Sequence, residues 1–184
     1  MSVLKQYAKT FAEKAHAGQK RKSSDAPYIS HPIRVAERLE ENGFTDEVVC
    51  AGYLHDVVED TPYEMKDIKC EFGERVAKLV AAHTEDKSKS WQERKQHTID
   101  TITYAQKEIK YLIVADKLDN LLEMERDLKL QGDAAWDKFS AGFEKQKWYN
   151  QSIATNMYVG LDPNDAPDYF GEFEEAVERV FGAG

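Results

Sequence analysis

The chain has 184 residues, a length that suits one domain with a buried core. Its 25 basic and 34 acidic residues give a formal net charge of −9 at pH 7, so we exclude nucleic acids and anionic membranes as general partners. The only two cysteines, Cys50 and Cys70, lack a C-x-x-C spacing, which argues against a disulfide framework or a cysteine zinc site, and we expect both to be small buried residues.

Apolar residues recur at the helical period along the first half of the chain. The predicted helices, each with its end signal, are Leu4–Ala15 before Gly18, Pro32–Leu39 before Asn42-Gly43, Thr45–Val58 before Thr61-Pro62, Met65–Phe72 before Gly73, and Val76–His83. The segment Gln19–Ser30 is rich in turn-forming residues and is predicted to be a loop.

The second half continues the helical pattern. A polar loop is predicted over Thr84–Ser90, followed by helices over 91–105, 108–130 and 134–159, a loop flanked by Pro163 and Pro167, and a short helix ending near Phe181. Since no segment shows sustained strand alternation, we expect an all-α, compact single-domain bundle of eight or nine helices over 1–184. The motif-bearing core is expected over about 2–130, with less defined C-terminal helices over 133–184.

We expect a cytoplasmic protein without a membrane anchor. The N-terminal segment carries charges throughout, unlike a secretory signal, and no run of 18 apolar residues occurs.

A group of ionisable residues interrupts the apolar helix predicted over Thr45–Val58. His55 and Asp56 are followed one turn later by Glu59 and Asp60, and residues four apart lie one above the other on a helix. Burying three carboxylates without a counter-ion is very costly, so a divalent cation would resolve the conflict. The alternative is a solvated helix edge.

Two distant residues are further candidates for binding a metal. His31 precedes Pro32, which fixes the backbone next to it, although a capping or surface histidine is the alternative. Asp116 follows the apolar run 112–115, and a carboxylate there needs a partner unless it lies at a polar helix edge. We expect Lys117 to pair with it poorly, because adjacent helical residues point about 100° apart.

The cluster Lys20-Arg21-Lys22 places three cations together in an acidic protein, where they could offset phosphate charge or form a solvated helix end. Weaker candidates for a nucleotide ligand are Lys87, Arg94 and Lys95 for its phosphates, and Trp148 and Tyr149 for its base. A core or surface role is the favoured interpretation of Trp148 and Tyr149.

Six stretches together resemble one known family. In order they are 15–22 (AHAGQKRK), 27–32 (PYISHP), 54–61 (LHDVVEDT), 72–73 (FG), 84–87 (TEDK) with 93–95 (ERK), and 115–121 (ADKLDNL). They resemble the HD-domain phosphohydrolases, and within them the small alarmone hydrolases and the hydrolase half of the RelA/SpoT enzymes. The resemblance extends from about residue 8 to 130 and is faint beyond it.

The resemblance implies a role for each matched position. It implies His31, His55, Asp56 and Asp116 as ligands of one ion, usually Mn²⁺, with Fe²⁺ or Zn²⁺ also chemically reasonable. It implies Glu59 and Asp60 as catalytic carboxylates that serve the attacking water, Arg21 and Lys22 as cations near the substrate, and Asn120 as a polar substrate contact. The implied reaction is manganese-dependent removal of pyrophosphate from the 3′ position of (p)ppGpp by metal-activated water, leaving GDP or GTP.

The sequence also departs from the family pattern. Asp119 replaces an aromatic residue or a histidine, and the loop Ser23–Ala26 is short, so base recognition is expected to differ. The motifs leave no room for a synthetase domain, so we expect hydrolysis without synthesis. Two alternatives stay open: hydrolysis of another nucleotide, such as an adenine alarmone or a phosphorylated dinucleotide, and neutralisation of a toxic alarmone synthetase by hydrolysis or binding. No feature of the sequence fixes the oligomeric state, and a mere helical scaffold is the least favoured interpretation.

Overall fold

The computed structural model of the protein describes residues 1–139 and 141–182. All its regular elements in these ranges are helices, apart from an isolated antiparallel bridge between Lys20 and Pro27. The all-α prediction is therefore confirmed. The chain divides into two compact units, Met1–Lys87 and Ser88–Gly184, and the single domain over 1–184 stays a prediction.

The described part of the first unit contains six helices: α1 (Val3–Ala15), α2 (Ser30–Glu41), α3 (Asp46–Leu54), α4 (Val57–Asp60), α5 (Met65–Phe72) and α6 (Glu74–Ala82). The described part of the second unit contains α7 (Trp91–Tyr104), α8 (Lys107–Gln131), a 3₁₀ helix (Gly132–Lys138), α9 (Phe143–Asn156), a second 3₁₀ helix (Pro163–Asp165) and α10 (Asp168–Phe181).

Helix α3 is the centre of the first unit. All its residues from Val48 to Leu54 are buried, and it packs against α1, α2 and α6. Gly52 allows the close approach of α2, because a Cβ atom there would lie 2.9 Å from Leu39 Cδ1 and 3.0 Å from Ala36 Cα. This contact positions two of the predicted metal ligands, because His31 lies at the start of α2 and His55 directly follows α3.

The single helix predicted over Thr45–Val58 is wrong. Helix α3 ends at Leu54, His55 and Asp56 form a turn, and α4 follows. In a continuous helix the Gly52 carbonyl would accept the amide of Asp56, but here it accepts the His55 ring nitrogen Nδ1 at 2.7 Å. A side chain thus competes with the backbone for the acceptor and ends the helix.

Helix α8 is the centre of the second unit. Its residues from Lys110 to Asp116 are all buried, and it packs against α10, the first 3₁₀ helix and α7. The buried Lys110 ammonium donates to the carbonyls of Ile102 and Thr103 near the end of α7. A cation at this end of a helix satisfies carbonyls that lack intrahelical partners.

The helix predicted over 134–159 is also wrong. A 3₁₀ helix ends at Lys138, and α9 begins only at Phe143, after Gly142. Trp136 packs against the rings of Phe139, Phe143 and Phe181. These tertiary contacts require the chain to turn where local propensity alone favours one helix. Ser140 lies outside the described residues.

The two cysteines differ from each other. Both are free thiols, Cys50 buried and Cys70 exposed. The expectation that Cys70 is buried is wrong, because it lies two residues from both Ile68 and Phe72, on the opposite side of α5 from these buried residues.

Within the described residues, no helix combines the length and the apolar character needed to cross a lipid bilayer.

We expect thiol alkylation to distinguish the two cysteines. Burial raises the pKa of the Cys50 thiol to about 12, and only a thiolate that reagents can reach reacts rapidly. Iodoacetamide at pH 8 should therefore label Cys70 alone in the folded protein and both cysteines in urea, as measured by peptide mass spectrometry. Equal labelling rates in the folded protein would contradict the packing of α3.

A second prediction concerns Gly52. Gly52→Ala should lower the free energy of unfolding by about 1–3 kcal/mol, because the added methyl group overpacks the contact between α2 and α3. Gly171→Ala in α10 is the matched control, since its Cβ meets nothing within 4 Å, and it should be neutral or stabilising by up to about 1 kcal/mol. Urea denaturation measures both, and equal effects would argue against the close approach.

Candidate metal centre and adjoining carboxylates

Two imidazoles and one carboxylate converge in the first unit. The Nε2 atom of His55 lies 3.0 Å from Asp56 Oδ2, and the Nε2 atom of His31 lies 3.8 Å from the same oxygen. The two histidine rings are T-shaped, with centroids 5.2 Å apart. Both histidines are buried, whereas the Asp56 side chain keeps 16% of its surface exposed.

The donor set fits a divalent cation. His55 Nδ1 faces the Gly52 carbonyl, which can only accept, so Nδ1 carries the proton. In the neutral ring the lone pair of Nε2 then faces the Asp56 carboxylate, a repulsive arrangement that a cation relieves. Ligand atoms of an ion with bonds of about 2.1 Å lie roughly 3 Å apart, and mixed imidazole and carboxylate sets suit Mn²⁺, Fe²⁺ and Zn²⁺.

The other two carboxylates of the segment are held by the loop that follows α6. Glu59 Oε1 accepts the backbone N–H of Glu85. Asp60 Oδ1 pairs with the Lys87 ammonium at 2.9 Å, and this hydrogen bond raises the pKa of Lys87. The predicted loop over Thr84–Ser90 therefore contributes two donors to the carboxylates.

Tyr28 contacts two of the three carboxylates. Its hydroxyl donates to Asp56 Oδ2 at 2.6 Å and lies 3.2 Å from Asp60 Oδ2. Burial, together with the Asp56 charge, raises the pKa of Tyr28 above its usual range, so the hydroxyl keeps its proton at neutral pH.

The three cations of the predicted phosphate cluster have different surroundings. The Arg21 guanidinium lies over the Tyr28 ring, 5.1 Å from its centroid, which places it beside the carboxylates. Lys20 pairs with Asp25 at 3.5 Å on the surface, and Lys22 is exposed. Of the three, Arg21 is the one with a defined contact to the residues described above.

In the second unit Asp116 is buried on α8 and forms an ion pair with Lys117, with 3.0 Å between Nζ and Oδ2. The expectation that Lys117 pairs poorly is wrong, because its long side chain can fold back along the helix. Asn120, four residues later, donates to Asp116 Oδ1 at 3.1 Å. Asp119, the departure from the family pattern, is also buried.

The second unit also gathers aromatic rings and lysines. Trp91 of α7 packs against Trp148 and Tyr149 of α9, with centroids 6.3 and 6.2 Å apart. The ammonium groups over these rings come from Lys95, Lys117 and Lys145, at 5.2 to 6.0 Å from the centroids. Tyr149 is buried, which agrees with the core role favoured for it.

Sequence reasoning missed Tyr28 and gave Lys87 little weight. Both lie in stretches that resemble the family, and that was the available signal. Their contacts depend on how the loops fold back onto α4, which no local pattern reveals. His83 was also missed as a neighbour of His55: the two rings stack with centroids 5.7 Å apart.

A family model described as the HD domain matches residues 8–140. The chain belongs to the HD-domain family. A mouse relative, named guanosine-3′,5′-bis(diphosphate) 3′-pyrophosphohydrolase MESH1, is 40% identical over 177 residues, covering 95% of this chain and 90% of the mouse protein. Membership in the small alarmone hydrolases of the HD family is therefore confirmed, and with it the prediction of a metal-dependent phosphohydrolase.

Two solved structures are similar to this HD-domain protein. The crystal structure of lmo0812 from Listeria monocytogenes EGD-e has a TM-score of 0.80 at 48% identity, covering 83% of this chain and 99% of that one. A structure described as a metazoan ortholog of SpoT that hydrolyzes ppGpp has a TM-score of 0.79 at 26% identity, covering 100% and 98%. By contrast, the chain spans 15% of the GTP pyrophosphokinase of Streptomyces coelicolor, with 40% identity over 129 residues.

Proposed function

We propose that this HD-domain protein is a manganese-dependent (p)ppGpp 3′-pyrophosphohydrolase that acts in the cytoplasm. The observation that carries the proposal is the convergence of His31, His55 and Asp56 beside two further carboxylates. The name of the mouse relative supports the choice of substrate. The products would be GDP or GTP together with pyrophosphate.

His31, His55 and Asp56 would hold the ion in the first unit, and Asp116 would add a carboxylate, as the family resemblance implies. A divalent ion, when bound, supplies positive charge to the phosphate oxygens and makes a water molecule far more acidic. The Gly52 carbonyl fixes the His55 ring through Nδ1, which leaves Nε2 available as a donor atom.

Glu59 would receive the proton of the attacking water. The Glu85 amide holds its Oε1 atom and so fixes the orientation of the carboxylate. Water adds its oxygen to phosphorus, the bond from phosphorus to the 3′ oxygen breaks, and that oxygen takes up a proton. Asp60, paired with Lys87, would orient the water.

Phosphate charge must be offset before an anionic substrate enters an acidic protein. Arg21, placed over the Tyr28 ring, would contact the phosphates through its planar fork of donors, and Lys22 would add a second cation. Asn120 would contact the substrate through the part of its amide that does not bind Asp116.

Removing a ligand carboxylate should remove most of the stabilisation that the metal provides. Mn²⁺ at about 100 times its dissociation constant should raise the free energy of unfolding of the wild type by about 2.7 kcal/mol. Asp56→Asn should lose most of this gain and all measurable turnover while keeping its helix content, as measured by thermal melts and circular dichroism. Lys66→Ala, which removes a surface ion pair with Glu64, is the control. A wild-type level of turnover in Asp56→Asn would contradict the metal assignment.

A nucleotide panel tests the substrate. The protein with Mn²⁺ should release pyrophosphate from ppGpp and pppGpp, and the products are resolved by ion-exchange chromatography. Glu59→Gln should lower kcat by about 10²- to 10⁴-fold, because a group that accepts a proton contributes on that order. Release of a single phosphate, or turnover only of an adenine alarmone or a phosphorylated dinucleotide, would contradict the proposed substrate. Two results together would favour the alternative role as a neutraliser of an alarmone synthetase: the wild type hydrolyses no nucleotide of the panel, and both the wild type and Glu59→Gln bind the synthetase.

A further inference from the structure

The Tyr28 hydroxyl lies within hydrogen-bond distance of two carboxylates with different proposed tasks. It is 2.6 Å from Asp56 Oδ2, on the proposed metal ligand, and 3.2 Å from Asp60 Oδ2. A hydroxyl has one proton and donates to one acceptor at a time, and the shorter distance assigns it to Asp56. Asp60 instead accepts a hydrogen bond from the Lys87 ammonium through its Oδ1 atom. The hydroxyl therefore separates two negative charges that would otherwise repel each other.

The Tyr28 ring is fixed by its own segment of the chain. The His16 ring packs against it, with centroids 4.8 Å apart, and the Tyr28 N–H donates to the Gln19 carbonyl at 2.8 Å. The side chain of Gln19 connects His16 to α4. Its Oε1 atom faces His16 Nδ1, and its Nε2 atom donates to the backbone carbonyl of Asp60 at 2.8 Å. The segment that carries Tyr28 is thus tied directly to the backbone of Asp60 at the end of α4.

The same ring supports a cation. Arg21 lies over it, and its backbone N–H donates to the Ala26 carbonyl across the turn at 3.0 Å. A guanidinium over an aromatic face is held in position by the ring quadrupole. The hydroxyl and the ring of Tyr28 therefore contact different groups, a carboxylate and a cation.

We infer that Tyr28 is a positioning residue with two separable roles. Its hydroxyl orients the Asp56 carboxylate toward the ion, and its ring orients Arg21 toward the phosphates of the substrate. A carboxylate oxygen has two lone pairs, so Oδ2 can accept the hydroxyl and still serve an ion. The inference rests on the function proposed above, and it adds a residue that the predicted site did not include.

Tyr28→Phe removes the hydroxyl and keeps the ring. Manganese affinity of the metal-free protein, measured by titration calorimetry, should fall about 10- to 100-fold, the range found when partners of metal ligands are removed. At saturating Mn²⁺, kcat for ppGpp should also fall, whereas KM should stay close to the wild-type value because Arg21 keeps its support.

Tyr28→Leu removes both the hydroxyl and the ring. It should show the same loss of manganese affinity, and KM should rise by about 2- to 30-fold, corresponding to the strength of a cation–π contact. If Tyr28 had a purely structural role, both variants would lose stability, but KM would not rise in Tyr28→Leu alone.

Tyr7→Phe is the matched control. The Tyr7 hydroxyl also donates to a carboxylate, that of Glu71 on α5, and its ring packs against Phe11 and Phe72. This variant loses the same kind of hydrogen bond elsewhere in the first unit and should keep the manganese affinity. Circular dichroism and thermal melts confirm that all three variants are folded before they are titrated.

The calorimetric readout separates the two proposals. If the wild type binds Mn²⁺ and Tyr28→Phe binds it equally well, the inference about Tyr28 is overturned, whatever the substrate is. If the wild type binds Mn²⁺ without hydrolysing ppGpp, the proposed substrate is wrong, while a loss of affinity in Tyr28→Phe still supports the role of the hydroxyl. If the wild type fails to bind Mn²⁺, both proposals fall.

Discussion

Mutual repulsion among three carboxylates is the constraint around which the first unit is organised. Asp56, Glu59 and Asp60 lie within five residues, and each receives a donor from elsewhere in the unit. Asp56 accepts the Tyr28 hydroxyl, Glu59 accepts a backbone amide, and Asp60 pairs with Lys87. These different partners give three chemically identical groups different surroundings, which is how carboxylates acquire different tasks in one site.

The backbone around His55 couples this arrangement to the core. Its ring ends α3 by taking the Gly52 carbonyl, and the turn at His55 and Asp56 separates α3 from α4. Gly52 at the same time lets α2 pack closely, which brings His31 near the turn. One glycine thus contributes both a close helix contact and the acceptor that fixes an imidazole.

The helical periodicity was sufficient to predict most helices, because amphipathic faces and end signals such as Gly73, directly after Phe72, are local properties. It failed at His55, where a side chain competes for a backbone carbonyl, and near Trp136, where aromatic contacts bend the chain. Eight of the nine proposed site residues were suggested by their chemistry and position, and Asn120 by the family resemblance alone. Tyr28 was not, since its ring and hydroxyl acquire their contacts only when the segment after α1 folds back onto α4.

That segment forms a small hairpin that is closed at its base. Backbone hydrogen bonds from Tyr28 to Gln19 and from Arg21 to Ala26 close the base. The residues beyond them, 22–25, are the tip, and lengthening a closed loop by a few residues has only a small entropic cost. The tip can therefore change in length while the hydrogen bonds at its base, and with them the placement of Tyr28 beside Asp56 and Asp60, stay unchanged.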